Sequence, residues 1–295
     1  MTLEEAERLL LSREVFGMRF GLDRIRRLLT ALGSPQHRLR VIEVVGTNGK
    51  SSTVRMAAAI LQEHGHRTGA YLSPHLASFT ERIRIDGEDV TDERFAAAVG
   101  RAAAAAEKVD RTQSEGDVVT QFELLTAAAF DCFAEAGAEL CVVEAGLGGR
   151  FDATNALDAE LAVLTNVGLE HTRWLGPTVT DIATEKLDVV RPGATLVIGA
   201  GLDQEARAVA DAVCAERGAT LIEAPAEPAG SVELAASGAF QRRNFALATA
   251  AAETLIGTLD PEAVARAAAG TVVPGRLQQL PGPALTSLDG PYNPA

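Results

Sequence analysis

Hydrophobic residues recur along this chain with two different spacings, and the alternation between them predicts its architecture. Short apolar and β-branched runs, at Val41 to Val45 and in RTGAYLS, LCVVEAG, LAVLTNV, TLVIGA and TLIEA, are too brief for helices and read as strands, several of them buried on both faces. Between them the apolar positions follow helical spacing. Val54, Met56, Ala57, Ile60 and Leu61 mark a helix beginning at about Lys50; an alanine-rich helix is predicted over Asp92 to Lys108 and another over Thr120 to Ala136; further helical patterns centre near Asp181, Val209 and Ala248. SPHLASFTERIRIDGEDV reads as a loop with a short hairpin turning at Asp86 and Gly87, and the polar linker DRTQSEGD reads as mobile. Strands alternating with helices predict an α/β fold built on a doubly wound, mostly parallel sheet. Such sheets bind ligands beyond the carboxyl ends of their strands.

The first of those ends carries the most specific chemistry. In VIEVVGTNGKSST a strand runs into Gly46, Thr47, Asn48 and Gly49, then Lys50, Ser51 and Ser52 open a helix. Glycines let backbone N–H groups close around oxyanions, and the helix N-terminus favours the same negative charge. Lys50 adds a point charge, and a hydroxyl from Ser51 or Ser52 can reach magnesium, so the ligand implied is a nucleoside triphosphate. The loop is the shorter form G-x-x-G-K-S, with Val44 where the strict pattern has glycine. Its plain alternative is a glycine turn with a surface lysine.

Two other strand ends invite functional and structural readings side by side. Glu144 closes an apolar strand and precedes GLGGRFDATN; as a buried carboxylate it would be a magnesium ligand or the ion-pair partner of Arg150. Arg150 itself could face a ligand or pair with Asp152, its glycine neighbours forming a tight turn. TNVGLEHT places Asn166, Glu170 and His171 past another strand, and a lone loop histidine is often structural. Lys186, in TVTDIATEKLDVV, reads from spacing alone as a solvated residue beside Glu185. The polar start of FQRRNFALATAAAETL, with Gln241 and Asn244, could touch a base or cap a helix.

Composition narrows the classes. The 295 residues, 47% hydrophobic, suffice for a large core, and the net charge of −13 argues against a nucleic-acid surface or an anionic membrane, so an anionic ligand must be bound locally. Cys132, Cys141 and Cys214 lie far apart in apolar patterns and read as buried free thiols in a reducing cytoplasm. The acidic N-terminus is unlike a targeting signal, and no apolar stretch approaches the roughly 18 residues of a membrane span.

With these stretches identified, the sequence resembles the folylpolyglutamate synthase and dihydrofolate synthase family, within the Mur-type ATP-dependent amide ligases. The resemblance rests on GTNGKSST, TGAYLSPHL with ERI, QFELLTAAAF, EAGLGGRFDATN, EHTRWLGPTVTDIATEK, FQRRN, PGRLQ and LDGPYNP, in that order. It implies a Mur-ligase-like ATP-binding domain over 1–283, with 284–295 a stub of the linker into a C-terminal glutamate-binding domain that is absent. It implies ATP and magnesium, with L-glutamate and a folate or dihydropteroate as substrates, an acyl-phosphate intermediate, and a cytoplasmic monomer. It also assigns roles. Lys50 would hold the β and γ phosphates; a loop serine, Ser51 or Ser52, and Glu144 would bind a first magnesium supported by Ser73; His171 would serve a second. Lys186 matches a lysine carried as a carbamate, Asn244, Arg276 and Asp289 would lie near the nucleotide, and Phe122 and Asp152 would face the pterin. Three positions depart from the family pattern: Ser51 stands where glycine is usual, Glu170 where aspartate is usual, and Tyr292 where DGAHNP has histidine. The rival reading is an ATP-binding module without efficient turnover.

Overall fold

A computed structural model describes residues 1–13, 21–112, 117–230, 232–280 and 286–290. In chain order its elements are α1 (Leu3–Ser12), α2 (Asp23–Ala31), β1 (Arg40–Val45), α3 (Lys50–Glu63), β2 (Thr68–Tyr71), β3 (Ile83–Ile85), β4 (Glu88–Asp89), α4 (Asp92–Asp110) and α5 (Gln121–Ala136). There follow β5 (Leu140–Glu144), β6 (Leu161–Leu164), α6 (Thr172–Leu175), α7 (Val179–Leu187), β7 (Thr195–Ile198), α8 (Gln204–Arg217), β8 (Thr220–Glu223), α9 (Ala239–Ile256), α10 (Pro261–Gly270), β9 (Gln278–Leu280) and β10 (Thr286–Leu288). The predicted strands and helices are present, the first alanine-rich helix running two residues further, to Asp110. Helices α1, α2, α6 and α10 and the strands β9 and β10 lie in stretches where the hydrophobic pattern had not singled out an element. The middle of the DRTQSEGD linker and Tyr292 fall outside the described residues.

Local chemistry explains where the helices begin. Thr120 accepts a hydrogen bond from the Glu123 amide while the Glu123 carboxylate accepts from the Thr120 amide, a reciprocal cap that starts α5; Thr178 and Asp181 repeat the device at α7. Gly137 ends α5 in the left-handed region. Helix α9 begins differently: Gly238 precedes it and no side chain caps it, so Gln241 and Asn244 are not its caps.

The strands order as β4-β3-β2-β5-β1-β6-β7-β8, parallel except for the β3 and β4 hairpin at one edge. The first strand in sequence is therefore central, between β5 and β6, and the chain leaves it toward β2 on one side and crosses from β5 to β6 on the other. That reversal opens a crevice beyond the carboxyl ends of β1, β5 and β6. Side chains alternate across the sheet. Ile42 and Val44 pack with α3, α9 and α10 through Met56, Phe245 and Ala267, while Val41 joins the core of α1, α2, α4 and α5 and Val45 that of α7 and α8. The helices α3 and α9, which carry the phosphate loop and Asn244, lie against each other on one face.

Phe245 is fully buried one residue past Asn244, where α9 meets the sheet. Phe245→Ala should lower the unfolding free energy by about 3–5 kcal/mol, read by chemical denaturation. A loss below about 1 kcal/mol would contradict this packing.

Candidate functional site

The phosphate loop forms because two of its backbone positions exclude side chains. Gly46 has φ +147°, and a Cβ there would lie 1.9 Å from Thr165 Oγ1; Gly49 has φ +83°, and its Cβ would lie 2.5 Å from Asn244 Oδ1. The loop is also tied from outside. The Thr47 and Asn48 amides donate to Asn166 O (3.0 Å) and Asn166 Oδ1 (2.9 Å), and Thr165 Oγ1 donates to Asn48 O (2.6 Å). With Gly49 as its N-cap and no side chain capping it, α3 leaves its first-turn N–H groups free for an anion. Lys50 Nζ folds back onto the loop carbonyls of Gly46 (2.9 Å) and Thr47 (3.2 Å). Ser52 is buried, whereas Ser51 turns its hydroxyl out to β5.

There Ser51 Oγ donates to Glu144 Oε1 (3.0 Å), and the Ser73 amide donates to Glu144 Oε2 (3.1 Å). Glu144 is 2% exposed. Burial pushes its carboxyl up, against the pull of Lys50, the Ser73 amide, the Ser51 hydroxyl and Arg276. Its pairing with Arg150 is not observed. Arg150 lies against Glu185 Oε1 (3.2 Å) and Asp188 Oδ2 (3.7 Å), because the turn after Gly149 is fastened to the end of α7 by the Arg150 amide donating to Glu185 O. The same fastening removes Arg150 from Asp152.

Asp152 is buried and accepts from the Leu147 amide (2.8 Å), the Thr154 amide (3.0 Å) and Thr154 Oγ1 (2.7 Å). Burial raises its carboxyl, opposed by those donors. Gly146 lies between it and Phe122: a Cβ on that glycine would be 2.6 Å from Phe122 Cζ and 3.2 Å from Asp152 Oδ2.

Lys186 corrects the reading of a solvated helix residue. It is 1% exposed, with Nζ donating to Gly46 O (2.9 Å) and Glu170 Oε1 (2.6 Å) beneath the phosphate loop. Helical spacing could not show this, because the groups that meet the Lys186 amine come from the phosphate loop after β1 and the loop after β6. Burial, then the charge of Lys50, lowers its amine to about 8 against the pull of Glu170. At Glu170 burial is outweighed by Lys186, and the carboxyl is lowered.

The remaining candidates are more dispersed. His171 is exposed at φ +44°, at the head of α6. Asn244 Nδ2 donates to the buried Gln241 Oε1 (3.0 Å) beside Gly49, and Arg242 is drawn away to Glu227. Arg276 donates to Gly290 O, and Asp289 Oδ1 accepts from the Leu277 amide (3.2 Å), so both sit where β9 and β10 pair. The sequence reading passed over Glu43, a buried carboxylate within β1, although one acidic residue inside an apolar strand was a visible signal.

These residues fit a magnesium nucleotide. Among the described residues no group of three or more His, Cys, Asp or Glu side chains gathers as a metal cage, and the one buried carboxylate beside the loop serine suits a cation that takes its other oxygens from phosphate and water. Lys50, turned onto carbonyls, is within reach of an anion at the loop.

Residues 44–198 match the model of the Mur ligase middle domain. The whole chain is 35% identical to a probable bifunctional folylpolyglutamate synthase/dihydropteroate synthase of Haloferax volcanii, of which it spans 38%. Over 94% of its length it is 33% identical to the dihydrofolate synthase/folylpolyglutamate synthase of Bacillus subtilis, spanning 70% of that protein. Mycobacterium tuberculosis folylpolyglutamate synthase complexed with ADP superposes with a TM-score of 0.92 at 32% identity, covering 99% of this chain and 70% of that one.

Glu144→Gln keeps the shape of the side chain and removes its charge. It should weaken nucleotide binding by about tenfold or more with magnesium and hardly at all without it, measured by calorimetric titration at matched ionic strength. Equal losses in both conditions would make Glu144 a structural residue.

Proposed function

The chain belongs to the folylpolyglutamate synthase and dihydrofolate synthase family of Mur-type ligases, and on that premise we propose that it joins L-glutamate to the carboxylate of a folate or dihydropteroate at the expense of ATP. The observation that carries this reading is the convergence of the phosphate loop on Glu144, with Ser51 and Ser73 donating to its two oxygens. Residues 1–283 would form the ATP- and folate-binding domain.

The proposed sequence has two displacements. A carboxylate oxygen of the acceptor attacks the γ-phosphorus of ATP, the bond to the β-phosphate oxygen breaks, and ADP leaves. The amine of glutamate then attacks the acyl carbon, inorganic phosphate leaves, and the amine loses a proton as the amide forms. Lys50 would leave the Gly46 and Thr47 carbonyls to offset charge on the β and γ phosphates, joined by the free amides at the start of α3. Glu144, with Ser51 or Ser52 and Ser73, would hold magnesium, which when bound neutralises phosphate charge; His171 would serve a second ion. Asn244, Arg276 and Asp289 would border the nucleotide. Phe122 and Asp152 would bound the pterin pocket, with Arg150 bracing its loop. The buried thiols and acidic surface suit a cytoplasmic monomer working on small molecules, and among the described residues no helix is long and apolar enough to cross a membrane.

The test incubates the chain with ATP, magnesium, L-glutamate and either dihydropteroate or a reduced folate, following ADP and glutamylated product by chromatography. Acceptor-dependent product is expected, and Lys50→Ala should reduce its rate by about 100-fold or more with an unchanged circular dichroism spectrum. ADP release that ignores every acceptor would overturn the reading.

Lys186 is proposed to carry a carbamate. The reaction needs the neutral amine, and at a pKa of about 8 roughly a quarter of Lys186 is neutral at pH ~7.5, against about a thousandth for an unperturbed lysine. The product is an anion beside Glu170, so a bound cation should favour it. Labelling with carbon-13 bicarbonate should give a carbamate resonance that strengthens with magnesium nucleotide and is missing in Lys186→Ala, and added small carboxylates should partly restore that variant. Identical spectra for the two proteins would refute the assignment.

A further inference from the structure

Beneath the phosphate loop, β1 carries a carboxylate in the middle of the sheet. Glu43 lies between Ile42 and Val44, is 0% exposed, and points to the face opposite α3. Its Oε1 is 2.7 Å from Thr154 Oγ1, and its Oε2 is buried with no hydrogen-bond partner. Thr154 Oγ1 is also 2.7 Å from Asp152 Oδ1. Two acidic side chains therefore meet at a hydroxyl that has one proton to give.

With both acids ionised, one of the two 2.7 Å contacts would bring oxygen against oxygen with no hydrogen between them, in a site that water does not reach. One additional proton satisfies both contacts. Its location follows from the neighbours. Asp152 accepts from the Leu147 and Thr154 amides as well as the hydroxyl, and the Gly146 amide also favours its charge. Glu43 has a single partner and an orphaned oxygen, which is far less costly as the carbonyl of a neutral acid than as half of a carboxylate. The anion thus belongs at Asp152 and the proton on Glu43 Oε1.

We propose, building on the ligase reading above, that Glu43 is a positioning residue for the acceptor pocket: held protonated, it donates to Thr154 Oγ1, which donates to Asp152 Oδ1. This one-directional chain keeps Asp152 ionised and holds the 146–154 loop in shape against Phe122. The charged groups bearing on Glu43 are Asp152, from the loop, and Arg191, whose guanidinium donates to the Asn155 and Leu157 carbonyls; Lys186 bears on Asp152 from α7.

The arrangement has a pH signature. Burial raises Glu43 from 4.5 to about 8, Asp152 adding to the rise while the Thr154 hydrogen bond and Arg191 oppose it. Because the folded value is the higher one, the stability linked to this proton is complete below the unfolded value and is lost as pH rises through about 8. Above that, a second anion competes for the same hydroxyl, and Asp152 loses its donor.

Two measurements test the proposal. In protein labelled with carbon-13 at glutamate carboxyls, the resonance that disappears in Glu43→Gln should titrate near pH 8, and Asp152→Asn should move that midpoint downward by removing the neighbouring charge. A Glu43 that is already ionised at pH ~6, or a midpoint indifferent to Asp152→Asn, overturns the proton chain. The second measurement is dihydropteroate binding, with magnesium ATP binding as the control. Glu43→Val should weaken dihydropteroate by about tenfold and leave magnesium ATP unchanged, while Glu43→Gln, whose amide can still donate to Thr154, restores the affinity and removes its decline across about pH 7 to 9. Unaltered dihydropteroate binding in Glu43→Val, or a wild-type alkaline decline in Glu43→Gln, overturns the positioning role. Should Glu43→Val not fold, the Glu43→Gln pH profile decides. The carbon-13 titration needs no substrate, so a wild type that binds no dihydropteroate strikes the ligase reading, while the Asp152→Asn shift still judges the proton chain.

Discussion

A carboxylate buried at the end of a central strand must be surrounded by donors, and the arrangement of this site follows from that requirement at Glu144. Charge in such a place persists only where hydrogen bonds and cations converge on it. The donors come from two separate segments, Ser51 at the start of α3 and Ser73 after β2. Meeting at Glu144, they set the phosphate loop, β5 and the loop past β2 in fixed relation. On the other side the phosphate loop is held by Thr165 and Asn166 and crowded by Asn244. The free amides of the helix start are thereby pre-oriented, and an anion entering the crevice meets donors that need little rearrangement.

The two lysines at this loop show how position divides one residue type into different chemistries. Lys50 opens α3 with its amine donating to the Gly46 and Thr47 carbonyls of the loop. Lys186 is anchored from below on Gly46 and Glu170, and burial lowers its amine into a range where the neutral form is abundant near neutral pH. They share the Gly46 carbonyl. A chain with a net charge of −13 thus concentrates positive charge at the loop where its anionic ligand is expected.

The opposite face of β1 is organised by polar economy of a different kind. Asp152 satisfies the amides of a glycine-rich turn that would otherwise be orphaned next to the sheet, and Thr154 links that turn to Glu43 in the strand. The turn is clasped to α7 through the Arg150 amide and side chain. The strand ends β1, β5 and β6 therefore support one connected set of polar contacts on either side of the sheet, beneath which the cores of α3 with α9 and of α7 with α8 are apolar.

The α/β class, the parallel sheet, the phosphate loop and the principal strands and helices around it were legible in the sequence, because they depend on local quantities: periodicity and backbone freedom at glycine. Glu144 could be singled out for the same reason, as a charge at the end of an apolar strand. What local pattern could not decide was partnership. Whether Arg150 meets Asp152, Glu144 or neither, and which donors reach Glu144, depends on the course of chain separated by dozens of residues. Lys186 is the clearest case: on a helical wheel it is a surface lysine beside Glu185, and it is the approach of Gly46, 140 residues earlier, together with Glu170 that encloses its amine. Glu43 likewise gained its meaning only when the fold laid Thr154 and Asp152 across it. Spacing along a chain prescribes conformation, but burial and proton sharing are decided by what tertiary packing brings across the gap, since desolvation and hydrogen bonding act through space over a few ångströms and take no account of sequence distance.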